Sequence, residues 1–361
     1  MKQRILISTG GSGGHVLPAT ILYDHLKDQS HVSISTDYRG MKYLDKNKYD
    51  LEVFNIPPMS KNIFLLPFYF FLMTYLIIKS ILFLKKRKIE ILISTGGYMS
   101  LPLCLASKIL NIKIFLFEPN MVLGRSNKFF IKSCEKIFCY SDNIQNFPNK
   151  YVKKICVIPA LLRKKFYVVK KTDIIHKSIN LLIIGGSQGA IIFDTLIRSS
   201  IIKLSKIYNL KIYQQTNSFN FENLKEFYIN NNIKYELFNF DEDISNLMCK
   251  SNMCITRAGA STLAELVFLN LPCLAIPLPN SKDNHQYENA LFYNKIGCNW
   301  ILNQNEINDE TIANKLVNII DNKEKYLIKK INMKNFSYQN TWNNINQKII
   351  SVINENRISK N

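Results

Sequence analysis

Residues 4–18 read R-I-L-I-S-T-G-G-S-G-G-H-V-L-P. The apolar run Ile5-Leu6-Ile7 leads into four glycines, Gly10, Gly11, Gly13 and Gly14, and a helical pattern follows from about Leu17. A strand covered by helices on both faces reads as such a short, unbroken apolar run. Glycines let the backbone reverse sharply and come close to a ligand, and the helix that follows aims its unpaired N–H groups at the turn. In form this is a cradle for an anion, most often a phosphate, with the His15 imidazole beside whatever it holds. Many nucleotide-binding folds carry one such loop, so the rest of the chain decides what it serves.

The segment recurs. I-L-I-S-T-G-G occupies Ile5–Gly11 and again Ile91–Gly97, and L-L-I-I-G-G-S-Q-G-A occupies Leu181–Ala190. Three strand-to-glycine turns with helical stretches between them predict parallel strands joined by right-handed crossovers. Sheets of this kind bind ligands at the carboxyl ends of their strands, where these loops fall. Further strands are expected at Val32–Ser35, Ile114–Glu118, Lys136–Tyr140, Ile155–Ile158, Lys211–Gln215, Met253–Thr256 and Cys273–Pro277. The alternation continues on both sides of about residue 160. The expectation is an α/β protein of two doubly wound domains facing each other across a cleft. They span residues 1–160 and 161–335, with residues 336–361 as a closing helix packed back across them. Pro159-Ala160-Leu161-Leu162-Arg163 reads as the hinge.

At 361 residues and 47% hydrophobic, the chain is large enough for two cores. Its eight cysteines contain no C-x-x-C pair, which suits reduced thiols in the cytoplasm. Ile5–Ile7 is too short for the apolar region of a signal peptide. The formal charge of +20 raises the question of nucleic acid. Lys, Asn, Ile, Phe and Tyr are abundant throughout, as AT-rich coding sequence would produce, and no recognised nucleic-acid motif accompanies the charge. No nucleic-acid partner is expected, and an anionic membrane surface is the better use of the charge.

A membrane contact has its own candidate. Ile63–Leu84 is apolar apart from Pro67, Thr74, Lys79 and Ser80, and is long enough to cross a bilayer. The twin loops on either side of it belong at one edge of one sheet, which a single crossing would split between the two sides of the membrane. Lys61 before it and Lys85, Lys86, Arg87 and Lys88 after it suit a helix lying among headgroups. A monotopic contact is expected, with a true span and a plain buried helix as the alternatives.

Four other stretches carry polar chemistry. Phe117-Glu118-Pro119-Asn120 closes a predicted strand, so Asn120 either lines the cleft or serves the turn. Arg163 is either a solvated linker charge or a guanidinium aimed at phosphate or base. In Gly185–Ala190, Ser187 places a hydroxyl in a glycine turn shaped for pyrophosphate. Met253–Thr256 runs into R-A-G-A-S-T-L-A-E, Arg257–Glu265, where Thr262 and Glu265 fit a capping box. The same stretch fits a nucleotide, with the helix N-terminus on phosphate and Glu265 on ribose hydroxyls. Asp283–Ala290 then crowds amides beyond a strand end, which suits the hydroxyls of a sugar.

Taken in order, G-G-S-G-G-H-V-x-P, G-G-Y, E-x-N, G-G-S-Q-G-A, R-x-G-A-x-T-x-x-E and D-x-x-Q-Y-x-N-A span nearly the whole chain. The combination resembles the MurG family of glycosyltransferases. The resemblance implies the GT-B arrangement of two Rossmann-like domains, with no metal and no cofactor. It implies UDP-N-acetylglucosamine as donor in the second domain. The acceptor would be undecaprenyl-diphosphate-linked N-acetylmuramoyl-pentapeptide, its diphosphate at the first domain, and the protein would be peripheral on the cytoplasmic face of the bacterial inner membrane. Carried over by position, His15 would be the base, and Ser12, Gly13, Gly14 and Asn120 would approach the donor sugar. Arg163, Ser187, Asp241 through its backbone, Ala260, Ser261, Thr262, Leu263, Ala264, Glu265 and Gln286 would hold the nucleotide sugar. The chain departs from the family in Pro159–Arg163, where Arg163 alone is kept, in Phe117 and Pro119, in Asp241, and in His285 beside Gln286. A UDP-N-acetylglucosamine 2-epimerase would share the fold and donor without a membrane segment. A glycolipid synthase using diacylglycerol would share the membrane contact as well. A non-catalytic basic binder would explain the charge and leave the three glycine loops without a use.

Overall fold

The computed structural model describes residues 2–56, 66–169, 178–186, 192–239, 243–308 and 310–358. Two compact units are present, Met1–Leu161 with Trp342–Asn361, and Leu162–Thr341. Each is built on its own parallel sheet covered by helices, which is the α/β class that the repeated glycine turns predict.

The first sheet contains β1 (Gln3–Ser8), β2 (Ser30–Thr36), β3 (Leu51–Val53), β4 (Ile91–Ser94), β5 (Lys113–Glu118), β6 (Lys136–Cys139) and β7 (Ile155–Val157). They lie in the order β3-β2-β1-β4-β5-β6-β7, every neighbouring pair parallel. Chain order reverses between β1 and β4, which pair from Ile5 on Ile91 to Ser8 on Ser94. The twin segments thus lie side by side, and their glycine loops leave the sheet at its topological switch point, where such folds bind ligands. Ile5, Leu6, Ile7, Leu92 and Ile93 are fully buried, as strands covered on both faces must be.

The second sheet contains β8 (Ile179–Ile184), β9 (Leu210–Gln215), β10 (Lys234–Phe238), β11 (Met253–Thr256), β12 (Cys273–Ala275) and β13 (Asn299–Ile301). Its order is β10-β9-β8-β11-β12-β13, again wholly parallel. Here the switch point falls between β8 and β11, the strands that feed Gly185-Gly186 and Arg257-Ala258-Gly259. Leu181, Ile183, Phe193, Ile212, Tyr228, Ile255 and Leu274 form the centre of its core.

The apolar segment is a helix over Leu66–Lys86, and it is not a buried core helix. Leu76, Ser80 and Leu84, spaced i, i+4 and i+8, form its one deeply buried stripe, and Ser80 satisfies its hydroxyl by donating to the Leu76 carbonyl at 2.7 Å. Phe68, Phe70, Phe71, Tyr75, Ile78 and Leu82 are exposed, Phe70 and Phe71 by about 70%. Lys85, Lys86, Arg87 and Lys88 follow, all exposed. Lys61 and the residues from Ile63 to Leu65 lie outside the described residues.

The C-terminal helix Trp342–Ile358 belongs to the first unit. Ile345, Ile349, Val352 and Ile353 bury its apolar face at helical spacing. Its first residue, Trp342, stacks on His25 at 3.7 Å between ring centroids.

Candidate active site

In the first unit the site grows from the two adjoining loops. After β1 the backbone turns through Gly10 and Gly11, whose φ of +81° only glycine adopts without strain, and the helix Gly13–Leu26 begins with Ser12 as its N-cap. No Ser12 side-chain bond closes that N-terminus. After β4 the chain turns through Gly96 and Gly97, at φ +88° and +80°. The His15 ring lies against this second turn: a Cβ on Gly96 would stand 3.5 Å from its Cε1, and one on Gly97 3.7 Å from its Cδ2.

His15 Nδ1 is 2.8 Å from the Thr95 carbonyl oxygen. A carbonyl only accepts, so Nδ1 carries a proton, and in the neutral ring the lone pair is on Nε2. The loop pair therefore presents a half-buried imidazole in the tautomer that a general base needs.

Asp37, at the end of β2, is a residue the sequence reading passed over. Its buried carboxylate accepts from the Gly11 N–H at 2.8 Å, the Gly40 N–H at 2.9 Å and Arg39 Nε at 2.8 Å. Burial alone would push this carboxyl up, but the two amides and the guanidinium outweigh it and hold its pKa below the ordinary value. Arg39 in turn donates from Nη2 to the Tyr98 hydroxyl. A carboxylate two residues before an arginine, with no glycine motif of its own, offers little to read in a sequence.

Asn120 lies where β5 ends, and its surroundings are those of a clipped turn. Glu118, buried, accepts from the Asn120 N–H at 3.2 Å and from its Nδ2 at 3.0 Å through one oxygen. Through the other it accepts from the Gly124 N–H at 2.8 Å and Asn127 Nδ2 at 3.0 Å. Asn127 is also brought to the Gly96 turn, its Nδ2 3.6 Å from where a Gly96 Cβ would be. The loops after β1, β4 and β5 are thereby gathered into one ridge.

In the second unit Arg163 and Glu265 meet. Arg163 Nη2 donates to Glu265 Oε1 at 3.1 Å, with both side chains mostly buried. Burial pushes the Glu265 carboxyl up, and Arg163 and Lys165 partly oppose it. The capping box does not form: the helix Ala260–Phe268 has Gly259 as its N-cap, and Thr262 and Glu265 both lie inside it. Ala260, Ser261 and Thr262 stand partly exposed in its first turn, while Leu263 and Ala264 face the core and have only backbone to offer a ligand.

Neighbouring amides brace this site. Gln286 Oε1 accepts from the N–H groups of Ala258 at 3.3 Å and Leu278 at 3.0 Å, tying the loops after β11 and β12 together. Gln215 grips the loop after β8, accepting from the Gly185 N–H at 3.0 Å and donating to the Gly186 carbonyl at 3.1 Å. Arg257, buried and with no ion pair among the described residues, donates to the carbonyls of Ile276 and Pro277 and to Gln304 Oε1 at 2.7 Å. Burial holds its pKa below the usual value. The sequence reading gives Gln215 and Arg257 no role in the site, because the carbonyls, the amide and the Gln304 side chain they bind lie 19 to 47 residues away in the chain. Ser187 and Asp241 lie outside the described residues.

Residues 5–139 match the glycosyltransferase family 28 N-terminal domain and residues 180–345 the family's C-terminal domain. The UDP-N-acetylglucosamine–N-acetylmuramyl-(pentapeptide) pyrophosphoryl-undecaprenol N-acetylglucosamine transferase of Pelagibacter ubique is 65% identical over 356 residues, covering 99% of this chain and 100% of its own. The chain belongs to the MurG family of glycosyltransferases. The crystal structure of MurG from Acinetobacter baumannii has the same fold, with a TM-score of 0.77, 23% identity, and 98% and 100% of the two chains covered. The UDP-GlcNAc 2-epimerase of Neisseria meningitidis shares it too, with a TM-score of 0.66, 13% identity, and 98% and 100% coverage. The fold by itself thus separates the MurG family from the epimerases poorly, and the sequence identity does so well.

Proposed function

We propose that this chain transfers N-acetylglucosamine from UDP-N-acetylglucosamine to the 4-hydroxyl of undecaprenyl-diphosphate-linked N-acetylmuramoyl-pentapeptide, the lipid I to lipid II step of peptidoglycan synthesis. The observation that carries the chemistry is the His15 tautomer. With Nδ1–H bound to Thr95, Nε2 is the acceptor of the proton that the hydroxyl loses as its oxygen attacks C1. As that bond forms, the bond from C1 to the phosphate oxygen breaks and UDP leaves with the electron pair. A single displacement inverts C1, so an α-linked donor gives a β-linked product.

The new charge on UDP falls to the second unit. Arg163 and the N-terminal turn at Ala260–Thr262 supply positive charge and dipole, and Ser187, Asp241 and Gln286 complete the nucleotide-sugar site. Glu265 holds the Arg163 guanidinium and takes the ribose hydroxyls. Ser12, Gly13, Gly14 and Asn120 meet the sugar from the first unit.

The enzyme works as a peripheral protein on an anionic membrane surface. The exposed face Phe68, Phe70, Phe71, Tyr75, Ile78 and Leu82 enters the headgroup region, and the Lys85–Lys88 cluster adds electrostatic attraction. Crossing is disfavoured because the helix is fastened to its own domain along Leu76, Ser80 and Leu84, and because β1 and β4 on either side of it pair in one sheet. An epimerase has no use for such a face. The test is transfer of labelled N-acetylglucosamine to lipid I in vesicles, with diacylglycerol as control acceptor and 2-epimerisation of the donor assayed in parallel. Product with lipid I alone is expected; product with diacylglycerol alone, or epimer alone, refutes the reading.

A further inference from the structure

In the first unit Thr95 is held to the end of β1 by its N–H on the Ser8 carbonyl at 3.0 Å and by its Oγ1 donating to Thr9 Oγ1 at 2.8 Å, and two further links join the β1 and β4 loops on either side of it. On one side His15 donates to Thr95. On the other Asp37 binds the Gly11 N–H and Arg39, and Arg39 reaches across to Tyr98. In the sheet order β2-β1-β4, this second link passes from the end of β2 over the β1 loop to the β4 loop. Gly11 lies beneath it, since a Cβ there would come to 3.7 Å from Arg39 Nη2.

Each member of the link is itself held. Asp37 is 1% exposed and has three donors, so its position is fixed by the fold. Tyr98 packs with Leu72 on the small core of Ile56, Leu76 and Met99, which anchors it against the Leu66–Lys86 helix. Arg39 lies between them, its guanidinium 5.1 Å from the Tyr98 ring centroid and its side chain half exposed. A planar fork can satisfy a carboxylate and a hydroxyl in two directions at once, which an ammonium cannot do with the same geometry. The Thr95–Tyr98 turn is then fixed at both ends, by His15 at Thr95 and by Arg39 at Tyr98. Between them the Gly96 N–H donates to Ser94 Oγ at 3.2 Å and the Gly97 carbonyl accepts from Ser100 Oγ at 2.8 Å, so Arg39 adds an outer brace to a turn that also has bonds of its own.

We propose that Arg39 is a positioning residue: clamped between Asp37 and Tyr98, it fixes the turn whose Thr95 carbonyl keeps His15 in the Nδ1–H tautomer. Without it the Gly96-Gly97 turn moves, the Thr95 carbonyl leaves Nδ1, and the imidazole divides between tautomers, so a share of the enzyme presents a protonated Nε2 to the acceptor. Arg39 acts on proton transfer and leaves nucleotide binding alone.

The inference rests on the base role proposed for His15, and the experiment separates the two. Arg39→Gln, Arg39→Lys and Tyr98→Phe are made in the full chain. The imidazole tautomer is read by ¹⁵N NMR without substrate, together with Tm, and kcat and donor KM are read with lipid I. In the parent His15 should be a single Nδ1–H tautomer. In Arg39→Gln and Tyr98→Phe it should be mixed, with kcat lowered about 10- to 100-fold, the reach of a misplacement on the order of 1 Å. Donor KM should stay within about twofold, and Arg39→Lys should fail to restore kcat. A parental tautomer in Arg39→Gln overturns the inference, whether kcat is normal or falls together with Tm. If tautomers mix in the variants while His15→Ala keeps full activity, the positioning inference stands and the base role falls.

Discussion

Arg163 and Glu265, 102 residues apart in the chain, form an ion pair with Nη2 3.1 Å from Oε1. Because both are mostly buried, removing either costs the other this ion pair, and the two effects cannot be independent. Glu265→Ala and Arg163→Met should each raise donor KM by about tenfold to a hundredfold, the worth of a charge-assisted hydrogen bond of roughly 1.5–3 kcal/mol. The double variant should cost much less than the product of the two. Steady-state kinetics with varied donor checks this, and full multiplicativity would refute a shared role.

His15→Ala should lower kcat by about 10² to 10⁴, the usual range for losing a general base. Donor binding should change little, since the residues proposed to hold the nucleotide all belong to the second unit. Thermal unfolding recorded beside the kinetics excludes a folding defect. A variant with near-parental kcat would return His15 to the role of a loop residue braced on Thr95.

His25 gives the first unit a sensitivity to acid. It is buried under Trp342, and neither ring nitrogen has a hydrogen-bond partner among the described residues. Burial lowers its pKa from 6.5 to about 4, with Asp24 acting weakly in the other direction. The unfolded chain therefore takes up a proton below about pH 6.5 that the native state refuses until about pH 4. Stability is full above the unfolded pKa and falls as the pH drops through that window, by on the order of 3 kcal/mol over its whole width. Denaturant unfolding at pH 7 and pH 5 should show the loss, and His25→Leu should remove most of it. An unchanged pH dependence in that variant would count against the assignment.

Binding to anionic vesicles should have two parts. The basic cluster Lys85–Lys88 contributes about 1 kcal/mol per residue near the surface, and salt weakens it by shortening its reach. The exposed aromatic face leaves a residual that salt does not remove. Phe70→Ser with Phe71→Ser should abolish the residual and spare the salt-sensitive part, as sedimentation with vesicles would reveal. Protein that resists alkaline carbonate, with its two halves accessible from opposite sides, would refute the peripheral reading.

The sequence alone determined the elements whose signal is local. Ile5–Gly11, Ile91–Gly97 and Leu181–Gly186 announce buried strands and glycine turns because a strand covered on both faces must be apolar at every position. The edge strands β3, β10 and β13 escaped it: β3 and β13 have three residues each, and Leu51–Val53 and Lys234–Phe238 are only partly buried, so nothing forces an apolar run on them. The sequence also marked His15, Arg163 and Glu265, as residues beside turns, and left their roles open. Tertiary structure alone decided which nitrogen of His15 carries the proton, because that depends on a carbonyl 80 residues away. It likewise turned Thr262 and Glu265 from a cap into an interior pair, joined Glu265 to Arg163, and drew Asp37 and Arg39 over the glycine loop. Hydrogen bonds and ion pairs between strand ends follow strand order, and strand order is fixed by how the whole sheet packs, which no short stretch of residues records.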